Sequence, residues 1–350
     1  MHTVAPSEMN TARTKIVHLV ATASGWGGLE RAAVEVAAEQ SRRGMDVVLM
    51  ASGDVCARLP DGVAGVPFDF SASRRSLLLI WRLCRALKRL EPGLLHLHAN
   101  KAAAIGKTLR LLLPGLKTVA TIQNTKRSVS AFRGHDAVVA VSRMAGQSLG
   151  GLPHEVIWNA IPRPVAGDLP VDLPKKREGA MTIAAYGRFV EAKGFDLLLE
   201  AIAPLREVDL WLVGDGKLRT EIEAQVERLG LGGRVWLPGF RADAEAIVSQ
   251  SDLFLLPSRH EGFPFTLVEM LHRRKLVIAS KVAGAEEILP EACLVEIGDM
   301  EGLRSRIEWA LRNMDALAPA LAPVFDLASE RLEIGYCCER LNEVYKRVLL

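Results

Sequence analysis

Glu261 and Glu269 are separated by eight positions in HEGFPFTLVE (260–269), with Gly-Phe-Pro-Phe following the first carboxylate. Upstream, SDLFLLPS (251–258) is an apolar run between Asp252 and Pro257 that reads as a strand buried on both faces of a parallel sheet. Downstream, Pro264 suits the first turn of a helix, where its missing N–H costs nothing, and FTLVEMLHRR continues with helix formers and a basic end. Glu261 is therefore predicted in the loop before the helix and Glu269 in its second turn. Helical side chains lean toward the N-terminus, so both carboxylates are predicted to face one pocket. A helix start after a parallel strand favours anions. Carboxylates beside it suit hydroxyl groups better than phosphate. A diphosphate flanked by hydroxyl-bearing groups, as in a nucleotide sugar, would meet both demands. The competing reading is a capping carboxylate at Glu261 and a solvated helix face at Glu269.

Cations for a diphosphate occur about seventy residues earlier. MTIAAYGRFVEAKG (181–194) reads as a strand ending at Gly187, followed by Arg188 and then Lys193 with Gly194. Arg and Lys at the carboxyl end of a strand, near a topological switch, are placed to meet phosphates. A solvated surface pair would need the same residue types.

The ordered set GRFVEAKG, WLVGDGKLR (211–219), LPGF (237–240), HEGFPFTLVE and VAGAEEI (282–288) resembles the donor half of family-4 glycosyltransferases, retaining enzymes of the GT-B fold, of the bacterial lipopolysaccharide and cell-surface polysaccharide type. The resemblance covers most of residues 181–290. It implies that Glu261, Lys193 and Arg188 are catalytic, with Glu261 on donor-sugar hydroxyls and the two cations on the diphosphate. It also implies that Glu269 holds the ribose and that Gly27, Gly28, Gly187, Gly214, Phe263, Thr266 and Leu267 line the donor. Fixed charges stabilising the departing diphosphate require no metal, so no cofactor is expected beyond the co-substrate, UDP-hexose by default or GDP-mannose.

The elements that must position these residues follow from length and pattern. A chain of 350 residues accommodates two domains of ordinary size. KIVHLV, DVVLM, LLHLH, KTVATI and DAVVAV are short apolar runs separated by helical stretches such as 29–43 and 76–90, the signature of a doubly wound parallel sheet. IPRPVAGDLPVDLPKK (161–176), with four prolines, reads as a linker. MTIAAY, VDLWLV, RVWLP, DLFLL and LVIAS then restart the pattern. The expected architecture is α/β, two Rossmann-like domains facing across a cleft: an acceptor-side domain over 1–165, braced by helices at about 325–350, and a donor domain over 175–324.

Residues 1–165 carry 21 Lys and Arg against 11 Asp and Glu, whereas 166–350 carry 23 against 30. The amino half should therefore prefer an anionic partner. SASRRSLLLIWRLCRALKRLEPG (71–93) sets a basic face beside an apolar one, as in an ordinary packed helix or a contact with anionic lipid. No apolar stretch reaches the length of a membrane span. The five cysteines show no metal-type spacing, which suits a reducing cytoplasm. The expected location is cytoplasmic, peripheral on the inner face of the plasma membrane if the lipid contact holds. Nucleic acid is disfavoured by an aromatic content of 5% and the lack of a stacking platform.

In the amino half, ASGWGGLERAAVE offers a glycine-rich turn that resembles the family's donor-facing GG-x-E loop. His96 and His98 end a strand at alternate positions, with no third metal ligand at suitable spacing. His98 is a candidate to line the acceptor site or to serve the structure. Gln123 stands where the family usually has a histidine; it can hydrogen-bond a hydroxyl but cannot exchange protons at neutral pH. Lys126 and Arg127 follow as candidates for an anionic acceptor. The expected activity is retaining transfer of a hexose to a saccharide or lipid-linked acceptor. A nucleotide-sugar epimerase on the same fold and a non-catalytic membrane-docking protein are the rival readings.

Overall fold

The computed structural model describes residues 14–126, 128–164 and 172–350. The chain divides into two units, one formed by the residues up to Asn159 together with Ile334–Leu350, the other by Ala160–Glu333. The first contains β1 (Ile16–Val20), α1 (Gly28–Arg42), β2 (Val47–Ala51), α2 (Gly53–Cys56), β3 (Ala64–Pro67), α3 (Leu77–Leu90), β4 (Leu94–His98), α4 (Ala99–Leu112), β5 (Lys117–Ile122), β6 (Ala137–Ala140), α5 (Arg143–Gln147) and β7 (Glu155–Val156). Its sheet has the order β3-β2-β1-β4-β5-β6-β7, with every pairing parallel. Every residue of β1, β2 and β4 is buried, which is why these strands read as unbroken apolar runs rather than alternating ones.

The second unit contains β8 (Met181–Tyr186), α6 (Phe195–Ile202), β9 (Val208–Val213), α7 (Arg219–Arg228), β10 (Val235–Trp236), α8 (Ala244–Ser249), β11 (Leu253–Leu256), α9 (Phe265–His272), β12 (Val277–Ser280), α10 (Ala285–Ile288), β13 (Leu294–Val295), α11 (Met300–Arg312) and α12 (Met314–Arg331). Its sheet runs β10-β9-β8-β11-β12-β13, also all parallel. Each unit is thus a doubly wound α/β domain. Strand order reverses between β1 and β4 in the first and between β8 and β11 in the second, the positions where such sheets open a crevice at their carboxyl ends.

The last helix, α13 (Ile334–Leu349), packs on the first unit and buries Tyr345 completely. The segment 325–350, expected to be helical, is divided at Leu332 and Glu333; α12 belongs to the second unit and α13 to the first. The division between units falls at Asn159, ahead of the proline-rich stretch, of which 165–171 lie outside the described residues. The Ile161 N–H donates to the Leu332 carbonyl at 3.1 Å, so the two chain segments at the unit boundary are paired. β3, β7 and β13 carry little sequence signal, being edge strands of four, two and two residues.

Candidate functional site

In the second unit the loops after β8 and β11 emerge side by side, because those strands are neighbours at the switch point. The Arg259 N–H donates to the Ala192 carbonyl at 2.8 Å, and the Arg259 guanidinium makes two bonds of 2.6 Å to the Asp196 carboxylate. A bidentate pair of this kind fixes orientation as well as distance. Burial alone would raise the Asp196 carboxyl, but the bonds from Arg259 outweigh it and hold the group below its ordinary range. The loop carrying Glu261 is thereby tied to the loop carrying Lys193.

Lys193 Nζ lies 2.7 Å from Glu261 Oε1, and the buried Ser258 hydroxyl donates to the same oxygen at 2.8 Å. Two residues assigned to different parts of a ligand are therefore paired with each other. Glu269, 4% exposed on α9, accepts from the hydroxyl of Tyr186, the last residue of β8. Both carboxylates thus meet groups from the end of β8 or the turn after it. Arg188 is exposed, and its side chain makes no hydrogen bond or ion pair to the described residues.

Backbone geometry explains the glycines. Gly194 has φ +65°, and a Cβ there would fall 2.1 Å from the Pro257 carbonyl oxygen. Gly214, with φ +145°, would place a Cβ 2.0 Å from the carbonyl oxygen of Gly187. Only glycine allows these backbones to approach so closely. Gly187 lies beside the Lys193 side chain, 3.4 Å from its Cε measured from an added Cβ.

At the start of α9, Pro264 occupies the N-cap rather than the first helical turn, leaving the cap without a side-chain hydrogen bond. The Leu267 N–H, expected to serve an anion, instead donates to the Pro264 carbonyl at 3.1 Å. Thr266, in the first turn, keeps a buried hydroxyl with no hydrogen-bond partner, a group suited to a ligand oxygen. The Phe263 ring is 3% exposed and packs against Gly284, so a ligand contact at this position falls to its backbone. The sequence reading missed Ser258 and Tyr186; the available signals were the closeness of Ser258 to Glu261 and of Tyr186 to Gly187 and Arg188 in the chain.

In the first unit, Gly27 caps α1 with an extended backbone and Gly28 begins it. The neighbouring Gly25 has φ +100°, and its N–H donates to Asp54 at 2.6 Å. Gln123 follows β5, half-buried, and Lys126 is exposed with its N–H donating to Ser148 at 3.3 Å. Arg127 lies outside the described residues.

His98 is not a surface group: it is 3% exposed, and its Nε2 is 2.9 Å from His18 Nδ1. His18, on β1 directly across from His96, is the third histidine that sequence spacing did not offer. The three place ring nitrogens within 4.8 Å of one another, the spread of a metal ligand set. Five of the six ring nitrogens are already engaged, however, and His98 Nδ1 is buried without a hydrogen-bond partner among the described residues. His18 Nε2 bonds Gln40 at 2.8 Å, and His96 bonds Tyr345 at 2.5 Å and Thr121 at 2.7 Å. With His18 donating to Gln40 and His98 donating to His18, those two neutral rings are joined by a hydrogen bond, while His96 stacks on His98 with ring centroids 4.3 Å apart. Burial pushes His18 down to about 4, against its bond to Gln40. Burial, followed by the neighbouring imidazoles, holds His96 and His98 well below the ordinary histidine value.

Residues 26–163 match the family described as Glycosyltransferase Family 4, and residues 180–313 the family described as Glycosyl transferases group 1. Over 336 residues the chain is 27% identical to the lipopolysaccharide core biosynthesis glycosyltransferase LpsE of Rhizobium meliloti, covering 92% of this chain and 96% of LpsE. It is 28% identical to the lipopolysaccharide core biosynthesis mannosyltransferase LpcC of Rhizobium leguminosarum bv. viciae, covering 64% and 68% of the two chains. Its fold is similar to that of Anabaena HepE, solved in complex with UDP and glucose, with a TM-score of 0.83 at 22% identity over 96% of this chain and all of HepE. Sucrose-phosphate synthase from Thermosynechococcus elongatus gives a TM-score of 0.79 at 18% identity, over 96% of this chain and 99% of that one. The two parallel-sheet, Rossmann-like domains are those of the GT-B fold. With both halves matching glycosyltransferase families, the protein is a glycosyltransferase.

Proposed function

We propose that the protein transfers a hexose from a nucleotide-diphosphate sugar to a saccharide of the lipopolysaccharide core type, with retention of configuration at the anomeric carbon. The observation that carries this reading is the Lys193–Glu261 pair at the switch point of the second unit, 2.7 Å apart, with Arg188 exposed alongside in sequence and Tyr186 holding Glu269. In the donor complex Lys193 would exchange its internal partner for the diphosphate, and Glu261 would accept from sugar hydroxyls. Glu269, oriented by Tyr186, would accept from the ribose.

During transfer the bond between the anomeric carbon and the diphosphate oxygen breaks while the acceptor hydroxyl oxygen bonds to that carbon on the same face. The acceptor proton passes to the departing phosphate oxygen. Negative charge therefore grows on the diphosphate, where Arg188 and Lys193 stabilise the transition state more than the bound donor. The scheme calls on no metal ion. The names of LpsE and LpcC favour a lipopolysaccharide core acceptor, and that of LpcC keeps GDP-mannose beside UDP-hexose as a donor.

The test is to incubate the protein with UDP-glucose, UDP-galactose and GDP-mannose, with and without delipidated core oligosaccharide, measuring nucleotide release and product linkage. Acceptor-dependent release with an α-linked product from an α-linked donor is expected. Inverted product, or epimerised sugar without transfer, would overturn the reading.

A further inference from the structure

We infer that the amino-terminal half of α3 is a docking surface for an anionic lipid bilayer. α3 buries Leu79, Ile80, Leu83 and Leu87 against the sheet, and Ser76 caps its start by accepting from the Leu79 N–H at 3.3 Å. Helical periodicity accounts for those four residues but not for their neighbours. Leu77, Leu78 and Trp81 are 86%, 65% and 57% exposed, three large apolar side chains within the first turn and a half. Single exposed leucines are ordinary, but an adjoining group marks a surface that is covered in use.

Charge identifies the cover. Arg74, Arg75, Arg82 and Arg85, all exposed, surround the apolar group, and the Arg85 guanidinium lies 5.7 Å from the centroid of the Trp81 ring. From residue 70 to residue 135 the chain has 13 Lys and Arg and a single carboxylate, Glu91. A protein partner large enough to cover this face would need a matching acidic surface. A bilayer containing anionic lipid supplies both needs at once: phosphates for the guanidiniums, and an interface for Trp and Leu side chains.

The position of the surface gives it a use. β3 and β4 belong to one all-parallel sheet, so α3 must run from the carboxyl edge of the sheet back to its amino edge. Its first turn therefore lies at the edge that also carries Gly27, Gly28, Gln123 and Lys126. Docking there would bring that edge of the first unit to a lipid-linked acceptor, a use that rests on the proposed function, although the surface is read from its own residues.

The test is flotation of the full chain with vesicles of phosphatidylglycerol mixed with phosphatidylcholine, and with phosphatidylcholine alone. Binding is expected to the anionic vesicles, weakening as salt shortens the screening length toward about 8 Å at physiological strength. Two variants, one combining Arg74→Gln, Arg75→Gln, Arg82→Gln and Arg85→Gln, the other Leu77→Ser, Leu78→Ser and Trp81→Ser, should each bind at least tenfold more weakly. Leu111→Ser with Leu112→Ser, which removes exposed leucines at the far end of α4, should bind like wild type. Equal binding to both vesicle types, no binding, or unaffected α3 variants would overturn the inference. A dimer in sedimentation that the apolar variant abolishes would do the same, by assigning the face to a second copy. Transfer to the delipidated oligosaccharide should be unchanged in all variants. If it is absent in wild type while vesicle binding holds, the proposed function fails and the surface stands.

Discussion

Lowering the pH from 7 to 5 should destabilise the first unit by an amount set by its buried histidines. His18, His96 and His98 are neutral in the folded protein because burial withdraws them from water, His18 with a value of about 4. In the unfolded chain each returns to about 6.5 and takes up a proton below that pH. A depressed histidine therefore contributes stability that is intact above the unfolded value and is lost as pH falls toward the folded one. Between pH 7 and 5 this linkage amounts to about 2 kcal/mol for each such group, or about 6 kcal/mol for three. That is comparable with the roughly 5–15 kcal/mol that holds a domain folded. His135, lowered for the same physical reason, adds in the same direction. Hydrogen exchange of the β1 and β4 amides, corrected for the intrinsic pH dependence of exchange, reports the opening free energy of this unit separately from the other. Calorimetric unfolding in two buffers at pH 5.5 should show close to three protons taken up by these histidines. An opening free energy unchanged from pH 7 to 5 would refute the assignment of neutral, buried histidines.

Glu261→Gln should lower transfer at least a hundredfold, and Lys193→Ala should reduce kcat more than donor affinity; wild-type rates in the Glu261 variant, with an unchanged melting temperature, would remove it from the reaction. Tyr186→Phe should raise the donor KM several-fold with little change in kcat, because the hydroxyl acts through Glu269; an unchanged KM in steady-state kinetics would assign Tyr186 to packing alone. Gly214→Ala should weaken nucleotide binding by titration calorimetry and destabilise the second unit by about 2 kcal/mol or more, since the methyl meets the Gly187 carbonyl at 2.0 Å.

The sequence carried the doubly wound plan because parallel strands buried on both faces leave unbroken apolar runs, as in LLHLH and SDLFLLPS. It did not carry β7 or β13, where two-residue edge strands owe their existence to the neighbouring strand rather than to any local pattern. For the candidate site, the order of motifs located Glu261, Lys193 and Arg188 in one unit. Their pairing was not legible, because it depends on β8 and β11 being neighbours, a fact of sheet order rather than of spacing. The histidines show the same limit. His96 and His98 were visible as a pair on one strand, while His18 joins them only through the register of β1 against β4. Exposure was hidden as well: the pattern of α3 suggested one apolar face, and Leu77, Leu78 and Trp81 lie outside it.

The return of α13 to the first unit bears on how the protein is made. A ribosome delivers residues 160–333 before it delivers 334–350, so the second unit can complete its core while the first still lacks Tyr345 and the partner that Tyr345 gives to His96. The unit translated earlier is thus the one finished later, reversing the usual amino-to-carboxyl order of domain maturation. Until α13 docks, the sheet surface that it covers is open to chaperones and to other unfinished chains. Nascent first units held on stalled ribosomes should therefore be the protease-sensitive species in the life of this protein, while the second unit already resists cleavage.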